Sequence, residues 1–327
     1  MSDSMILDKE LLFRLAEELP PLQFVAEQDS RWPLEADPQA YLSYYHINFA
    51  QEFPRVVHGF GRVDSGGFRV ATHYWLPPEP KGTVVIVHGY YDHVGVYRHP
   101  IELALQQGYA VLAFDLPGHG LSSGMVASID SFDLYADVLA DLLQRSRDLL
   151  PPQRFAMGQS MGGAVLLNYS WRYSPDDFAK IALCAPLILP RGWRSGRMLY
   201  RLLKGFVSHV PRRFTPSSHD PEFADFIARR DPLQAQYLSV VWITAMKAWA
   251  EGFRHFQPLD KAMLIIQGTG DRTVEWRYNL DQLREKLPQA EVKLIAEAGH
   301  HLVNESTEYR AQVFTYLQNY FFNERNR

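Results

Sequence analysis

Residues 155–163 read FAM-GQSMGG, an apolar run that closes on a serine set between glycines. The run has the character of the end of a buried strand, and G-x-S-x-G directly after it predicts a sharp strand-to-helix turn with Ser160 at its apex. A serine hydroxyl attacks a carbonyl carbon well only if the backbone lifts it clear of the sheet. The flanking glycines permit that strained turn and the close approach of the next helix. Ser160 is therefore the candidate nucleophile. The pattern is short, and an ordinary glycine-rich turn has the same form, so the remainder of the chain has to separate the two.

Upstream, from about Arg55, short β-rich runs alternate with helical ones: RVVHGFGRV and FRVATHYWL, then TVVIVHG, a helix through IELALQQ, then AVLAFDL, and a long amphipathic helix expected from Ser131 to Leu150. Continuous apolar strands alternating with helices build a parallel sheet covered on both faces. The two leading runs, divided by Asp64-Ser65-Gly66-Gly67, read as an antiparallel hairpin at its edge. Strand character resumes at IALCAPLIL, AMLIIQGTGD and VKLIAEAGH, followed by a helix from about Glu308 to Phe322. Between Pro190 and about Pro258 it disappears, and that stretch reads as a helical cap inserted between two strands. The expected fold class is α/β, a mostly parallel twisted sheet flanked by helices. Its parts are an N-terminal helical extension over residues 1–52, split around Pro20-Pro21 and Pro33, a core over 53–188 and 259–327, and the cap over 189–258. No internal repeat or low-complexity tract interrupts it.

Serine chemistry needs a base beside the hydroxyl, a carboxylate to orient the base, and donors for the oxyanion. AMLIIQ runs into GTGDRTV, which sets Asp271 on a turn beyond the C-terminal edge of the sheet, where sites of open α/β sheets form. VKLIAEA runs into GHHLVNE and sets His300 on the neighbouring turn. The chain order Ser160, Asp271, His300 is that of a nucleophile, acid and base on such a sheet. Asp271 could equally close an Asx-turn, and His300 competes with His301, which is expected to pack or be solvated. Oxyanion donors are expected from the N–H of Met161, after the nucleophile, and of Tyr90 in VIVHGYYDH. His88 and His93 have no acidic cluster at ligand spacing, so neither a metal nor a cofactor is expected.

Size and composition narrow the setting. The chain has 327 residues, 46% of them hydrophobic, enough for one large core with an insertion. Its 33 basic and 37 acidic residues leave a net charge of −4, with no global reason to bind nucleic acid. The single cysteine, Cys184, excludes an intrachain disulfide and lies in an apolar run where packing is its expected role. Asp8, Lys9 and Glu10 interrupt the apolar start, so neither a secretory h-region nor a membrane span is read, and a cytoplasmic setting is expected.

Four motifs together carry a resemblance. HGYYDHVGVY at 88–97 is similar to the HGxxEHxxRY signature of the monoacylglycerol lipase and lysophospholipase group, also described as serine aminopeptidase S33-like hydrolases. FDLPGHGLSSG at 114–124 resembles the group's DxRGHGxSxG turn, GQSMGG its elbow, and GHHLVNE its HxxxNE ending. The resemblance spans about residues 55–322 and implies an α/β-hydrolase with nucleophile Ser160, acid Asp271, base His300 and oxyanion donors Tyr90 and Met161. Asp92 stands where glutamate is common and Pro117 where arginine is common, and the first fifty residues have no obligatory counterpart. These departures leave the chemistry intact and weaken the transfer of substrate identity.

The resulting expectation is a carboxylic ester hydrolase acting on a lipid-like substrate, a lysophospholipid or monoacylglycerol. Small-molecule esterase, thioesterase and C–C hydrolase activities are alternatives, and so, in a different class, is a non-catalytic ligand-binding homologue. An aminopeptidase fits less well, because holding a free ammonium needs carboxylates. From Leu189 to His219 the cap instead carries Arg191, Arg194, Arg197, Arg201, Lys204, Arg212 and Arg213 and no acid. Met198, Leu199, Leu202, Leu203, Phe206, Val207 and Val210 repeat at helical spacing there. Such a basic amphipathic helix reads either as a contact for anionic lipid headgroups or a membrane surface, or as a packed cap helix with a solvated basic face. Trp242, Met246 and Trp249 in YLSVVWITAMKAWAEGF are expected either to line an acyl pocket or to be buried.

Overall fold

The computed structural model describes residues 7–25, 35–193, 196, 200 and 205–323. Arg194, Arg197, Met198, Leu199, Arg201, Leu202, Leu203 and Lys204, the centre of the expected basic helix, lie outside the described residues, as does Pro33.

An eight-stranded sheet organises the chain in the order β1-β2-β4-β3-β5-β6-β9-β10. Its strands are β1 Val57–Ser65, β2 Phe68–Leu76, β3 Thr83–Val87, β4 Ala110–Phe114, β5 Arg154–Gln159, β6 Lys180–Cys184, β9 Met263–Gly268 and β10 Glu291–Ile295. The β1–β2 hairpin and the β2–β4 pairing are antiparallel, and every pairing from β4 through β3 to β10 is parallel. The central strands β3, β4 and β9 are buried along their whole length. That is why they read as unbroken apolar runs with no alternation.

Helices α3 Arg98–Gln106, α4 Phe132–Arg145, α5 Met161–Arg172, α8 Trp276–Lys286 and α9 Thr307–Phe321 cover the two faces. Ser131 caps α4 through its Oγ, which accepts the Asp133 N–H at 3.1 Å. The helix ends at Arg145, short of the expected Leu150. Ser146 Oγ turns back on the Leu143 carbonyl, and the N–H groups of Leu149 and Leu150 close onto Ser146 in turns. The Pro151-Pro152 pair that follows disfavours helical backbone before it, although the apolar pattern runs on to a buried Leu150.

The segment between β6 and β9 departs from an all-helical cap. It holds α7 Val240–Phe253 and the short α6 Pro221–Asp225, and also an antiparallel pair, β7 His209–Pro211 with β8 Tyr237–Ser239. Strands of three residues are too short to leave a period-two signal.

The N-terminal segment is built into the core. Helices α1 Lys9–Glu18 and α2 Ala36–Tyr44 bury Leu12, Leu15, Tyr41 and Leu42. Between them the chain pairs with the outer edge of β1: Arg62 N–H donates to Pro20 O at 2.8 Å, and Leu22 N–H to Arg62 O at 2.7 Å. A free edge strand invites pairing with another chain, and this segment covers one. Deleting residues 1–24 is expected to lower the melting temperature and produce concentration-dependent oligomers by size-exclusion chromatography. A monomeric variant of unchanged stability would contradict the role given to the segment.

Candidate active site

The strand β5 passes directly into α5 through Ser160, whose backbone sits at φ 54° and ψ −113°. A non-glycine residue there is strained, at a cost on the order of 1–3 kcal/mol, and persists only where its surroundings hold it. Two hydrogen bonds do so: Ser160 N–H to Cys184 O at 2.8 Å, and Leu187 N–H to Ser160 O at 3.1 Å. Glycine is obligatory on both sides. A Cβ at Gly162 would collide with the Val87 carbonyl of β3, and one at Gly158 with the backbone of Gly162.

The parallel order β5-β6-β9-β10 brings the loops after β9 and β10 to the same sheet edge as this turn. Ser160 Oγ lies 2.9 Å from His300 Nε2, and His300 Nδ1 lies 2.7 Å from Asp271 Oδ2. Asp271 uses its two oxygens for two tasks. Oδ1 accepts the N–H groups of Thr273 at 2.7 Å and Val274 at 3.1 Å, while Oδ2 faces the histidine and accepts from Gln267 Nε2 at 3.0 Å. The Asx-turn reading and the histidine-orienting reading are thus both present in one side chain. Burial acts to raise the Asp271 carboxyl, but His300 and these N–H donors hold it below the usual aspartate value.

His300 is placed by neighbours that the bare motif did not explain. Gln159 Nε2 donates to its carbonyl at 2.8 Å, and the cap residue Ser217 accepts the N–H groups of both His300 and His301 at 2.8 Å. The buried Glu305 of GHHLVNE takes the Gly299 N–H and Asn304 ties to Val96 O, so the end of that motif fixes the loop.

His301 differs from the expectation of a packing or solvated side chain. It is buried, with Nε2 3.1 Å from Asp92 Oδ2. The same oxygen accepts Tyr97 Oη–H at 2.9 Å and Gly89 N–H at 3.2 Å. Burial would raise the Asp92 carboxyl, yet His301 and the other partners hold it well below the usual value. His88 and His93 both sit in buried hydrogen-bond networks. His88 Nε2 accepts the Leu116 N–H at 2.8 Å, which leaves Nδ1–H to donate to Gly89 O, and burial lowers its pKa to about 3. His93 meets Asp231 at 3.0 Å, and Asp231 also accepts Tyr45 Oη–H at 2.7 Å and Gln234 Nε2 at 2.8 Å. This buried cluster joins the N-terminal segment, the β3 loop and the cap. Three distant stretches meet in it, so no local pattern announced it.

Tyr90 stands in the loop after β3, and Met161 directly follows Ser160. Met161 is the first residue of α5, where the N–H has no partner within the helix. Trp242 of α7 touches both: its ring stacks on Tyr90 with centroids 3.7 Å apart, and its Nε1–H reaches Met161 Sδ at 3.3 Å.

Ser160, His300 and Tyr90 line a cavity of about 560 Å³, within the roughly 300–1,000 Å³ usual for small-molecule sites. Leu238, Val240, Trp242, Ile243 and Met246 make an apolar wall. Trp249 is not part of it and stacks on Phe132 in the core. Cys184 is fully buried behind the elbow, and burial pushes its thiol up to about 12, outside any nucleophilic role. Among the described residues, no group of three or more histidine, cysteine or acidic side chains is arranged to hold a metal ion, and no helix is long and apolar enough to cross a membrane.

Residues 78–307 match the family model Hydrolase_4, described as serine aminopeptidase S33. The chain belongs to that family. Its fold is that of an α/β-hydrolase, and among the proteins it is similar to are monoacylglycerol lipases. It is 32% identical over 138 residues to monoacylglycerol lipase of Mycolicibacterium smegmatis, a match covering 41% of this chain and 48% of that protein. It is 28% identical over 267 residues to monoglyceride lipase of Homo sapiens, covering 77% and 86% of the two chains. The crystal structure of a soluble variant of monoglyceride lipase from Saccharomyces cerevisiae, in complex with a substrate analog, superposes with a TM-score of 0.68 at 19% identity, covering 80% of this chain and 92% of that one.

The Tyr45–Asp231 hydrogen bond gives a direct check on the buried cluster. Tyr45→Phe in this hydrolase removes one donor to a buried carboxylate and is expected to cost about 1–3 kcal/mol of stability by urea denaturation. An unchanged midpoint would show that the cluster does not hold the cap to the core.

Proposed function

We propose that the chain is a serine-dependent carboxylic ester hydrolase that cleaves lipid-like acyl esters, with residues 53–188 and 259–327 as its catalytic core, 189–258 as its cap and 1–52 as an arm. The observation that carries this reading is the relay of 2.9 Å and 2.7 Å from Ser160 through His300 to Asp271, at the floor of a largely apolar cavity.

In this reading Ser160 Oγ attacks the acyl carbonyl while His300 Nε2 takes its proton. The negative charge that develops on the carbonyl oxygen is met by the N–H groups of Tyr90 and Met161, each worth roughly 3 kcal/mol in comparable sites. His300 then gives its proton to the leaving alcohol, and water, activated by the same histidine, releases the acid from the acyl-enzyme. Asp271 holds the imidazole in the tautomer that points a lone pair at the serine and stabilises the imidazolium.

The apolar wall from α7 supports an acyl chain as the ligand of the cavity. The alternative of an exopeptidase finds no support. Asp92 is the one carboxylate among the described lining residues, and His301, Tyr97 and Gly89 already occupy it.

A fluorophosphonate probe is expected to label the protein, with labelling abolished in Ser160→Ala; labelling that survives would overturn the nucleophile assignment. On 4-nitrophenyl and glycerol esters of graded chain length, Asp271→Asn is expected to lower kcat by a factor on the order of 10⁴. Trp242→Ala should act more broadly, lowering kcat on short and long chains alike because it supports Tyr90 and Met161, and raising KM for long chains. Equal rates for wild type and Trp242→Ala would show that the packing of Trp242 on Tyr90 and Met161 does not support the oxyanion donors.

A further inference from the structure

Four arginines surround the cavity: Arg191, Arg212, Arg213 and Arg272. None of them forms an ion pair among the described residues. Elsewhere Arg14, Arg69, Arg98 and Arg172 have carboxylates within 4 Å, while Arg154 and Arg254 are met by Leu143 O and Tyr278 Oη; what sets the four apart is that they line one cavity. Asp92 and Asp231 act on Arg212 at a distance but form no ion pair with it, and His301, Tyr97 and Gly89 engage Asp92 directly. Glu275 accepts the Gly192 N–H on Oε1 at 2.9 Å and forms no ion pair with any of the four.

Their placement is tied to the catalytic loops. Arg272 directly follows Asp271 in the chain. Arg191 lies against the same loop, its N–H donating to Thr273 O at 2.9 Å. On the other side, Arg212 and Arg213 begin the segment that runs to Ser217, the residue whose carbonyl accepts the His300 N–H. Arg212 is held in place: its guanidinium lies over the rings of Tyr91 at 3.8 Å and Phe214 at 4.2 Å, and Nη1 donates to Gln234 Oε1 at 2.7 Å. A guanidinium stacked and tethered in this way is ordered before any ligand arrives.

We propose that these arginines form a headgroup site, and that the preferred substrate is an acyl ester whose alcohol portion carries a negatively charged phosphate. The proposal rests on the ester-hydrolase reading above and narrows its substrate class. The planar fork of arginine matches phosphate oxygens in bidentate fashion. The hydroxyls of a neutral monoacylglycerol leave that charge unused, and the trimethylammonium of a phosphocholine ester would meet like charge. A phosphomonoester or phosphoglycerol head takes both advantages, with its acyl chain against the apolar wall.

Binding tests the site apart from turnover. Calorimetry on Ser160→Ala, with each amphiphile below its micelle concentration, is expected to find octyl phosphate bound at least tenfold tighter than octyl glucoside or octyltrimethylammonium. Adding Arg191→Ala and Arg272→Ala, both exposed and away from the core, should reduce that margin to about twofold. Equal affinities in Ser160→Ala would overturn the proposal. So would inorganic phosphate binding as tightly as octyl phosphate, since the acyl wall would then have no part. With the active enzyme, kcat/KM for 1-decanoylglycerol 3-phosphate should exceed that for monodecanoylglycerol at least tenfold, the ratio collapsing toward one in the arginine variants. If the octyl phosphate margin is found but no ester is cleaved, the headgroup site stands and the ester-hydrolase reading fails. Sedimentation with phosphatidylglycerol vesicles that the arginine variants lose, without any octyl phosphate preference, would assign the arginines to a membrane surface and overturn the proposal.

Discussion

The backbone at Ser160 is the constraint on which the rest of the site depends. A residue held at φ 54° between a buried strand and a helix can exist only if the helix packs hard against the neighbouring strand, and the absence of a side chain at Gly162 lets α5 come to rest against the carbonyl of Val87. That contact brings the N-terminus of α5 to the edge of the sheet beside the β3 loop. The hydroxyl, the Met161 N–H and the Tyr90 loop thereby converge. The neighbouring strands β6, β9 and β10 then need only ordinary parallel pairing to deliver Asp271 and His300 to the same edge.

Around this centre the segment between β6 and β9 is a structural partner of the loops that carry His300 and Tyr90. Ser217 pins the histidine loop through its carbonyl, Trp242 packs on Tyr90 and Met161, and Gln234 Nε2 holds the Tyr91 carbonyl at 3.1 Å. The Asp231 cluster extends the same coupling to Tyr45 of the N-terminal segment. Buried charge is costly unless it is paired and fully hydrogen-bonded, and Asp231 meets that condition only when arm, core and cap are together. Where Asp92 replaces the commoner glutamate, the shorter carboxylate is met by His301, so two positions that look unrelated in the chain form one buried pair.

The motifs most easily read from the residues were local. GQSMGG encodes a bend through its glycines, GTGD and GHH follow apolar runs that end on turns, and their order along the chain matches the order of strands across the sheet. Other readings failed for reasons of length or distance. The three-residue strands β7 and β8 carry no periodicity, and α4 ends in turns at Ser146 while the apolar pattern continues past it to Leu150. Trp242 and Met246 do line the cavity, yet Trp249, three residues beyond Met246, is turned into the core against Phe132. The three share one face of α7 at i, i+4 and i+7, so helical spacing alone could not tell the end of that face that meets the cavity from the end that meets α4.

By itself, the amino-acid sequence determined the α/β class, the elbow and the three side chains that converge on it, because these follow from backbone preferences and apolar runs acting over a few residues. Tertiary structure alone decided that His301 is buried against Asp92. It decided too that the N-terminal segment seals the β1 edge, and that arginines from separate loops encircle one cavity. Those outcomes depend on distances between residues far apart in the chain, and such distances exist only once the sheet has brought its loops together.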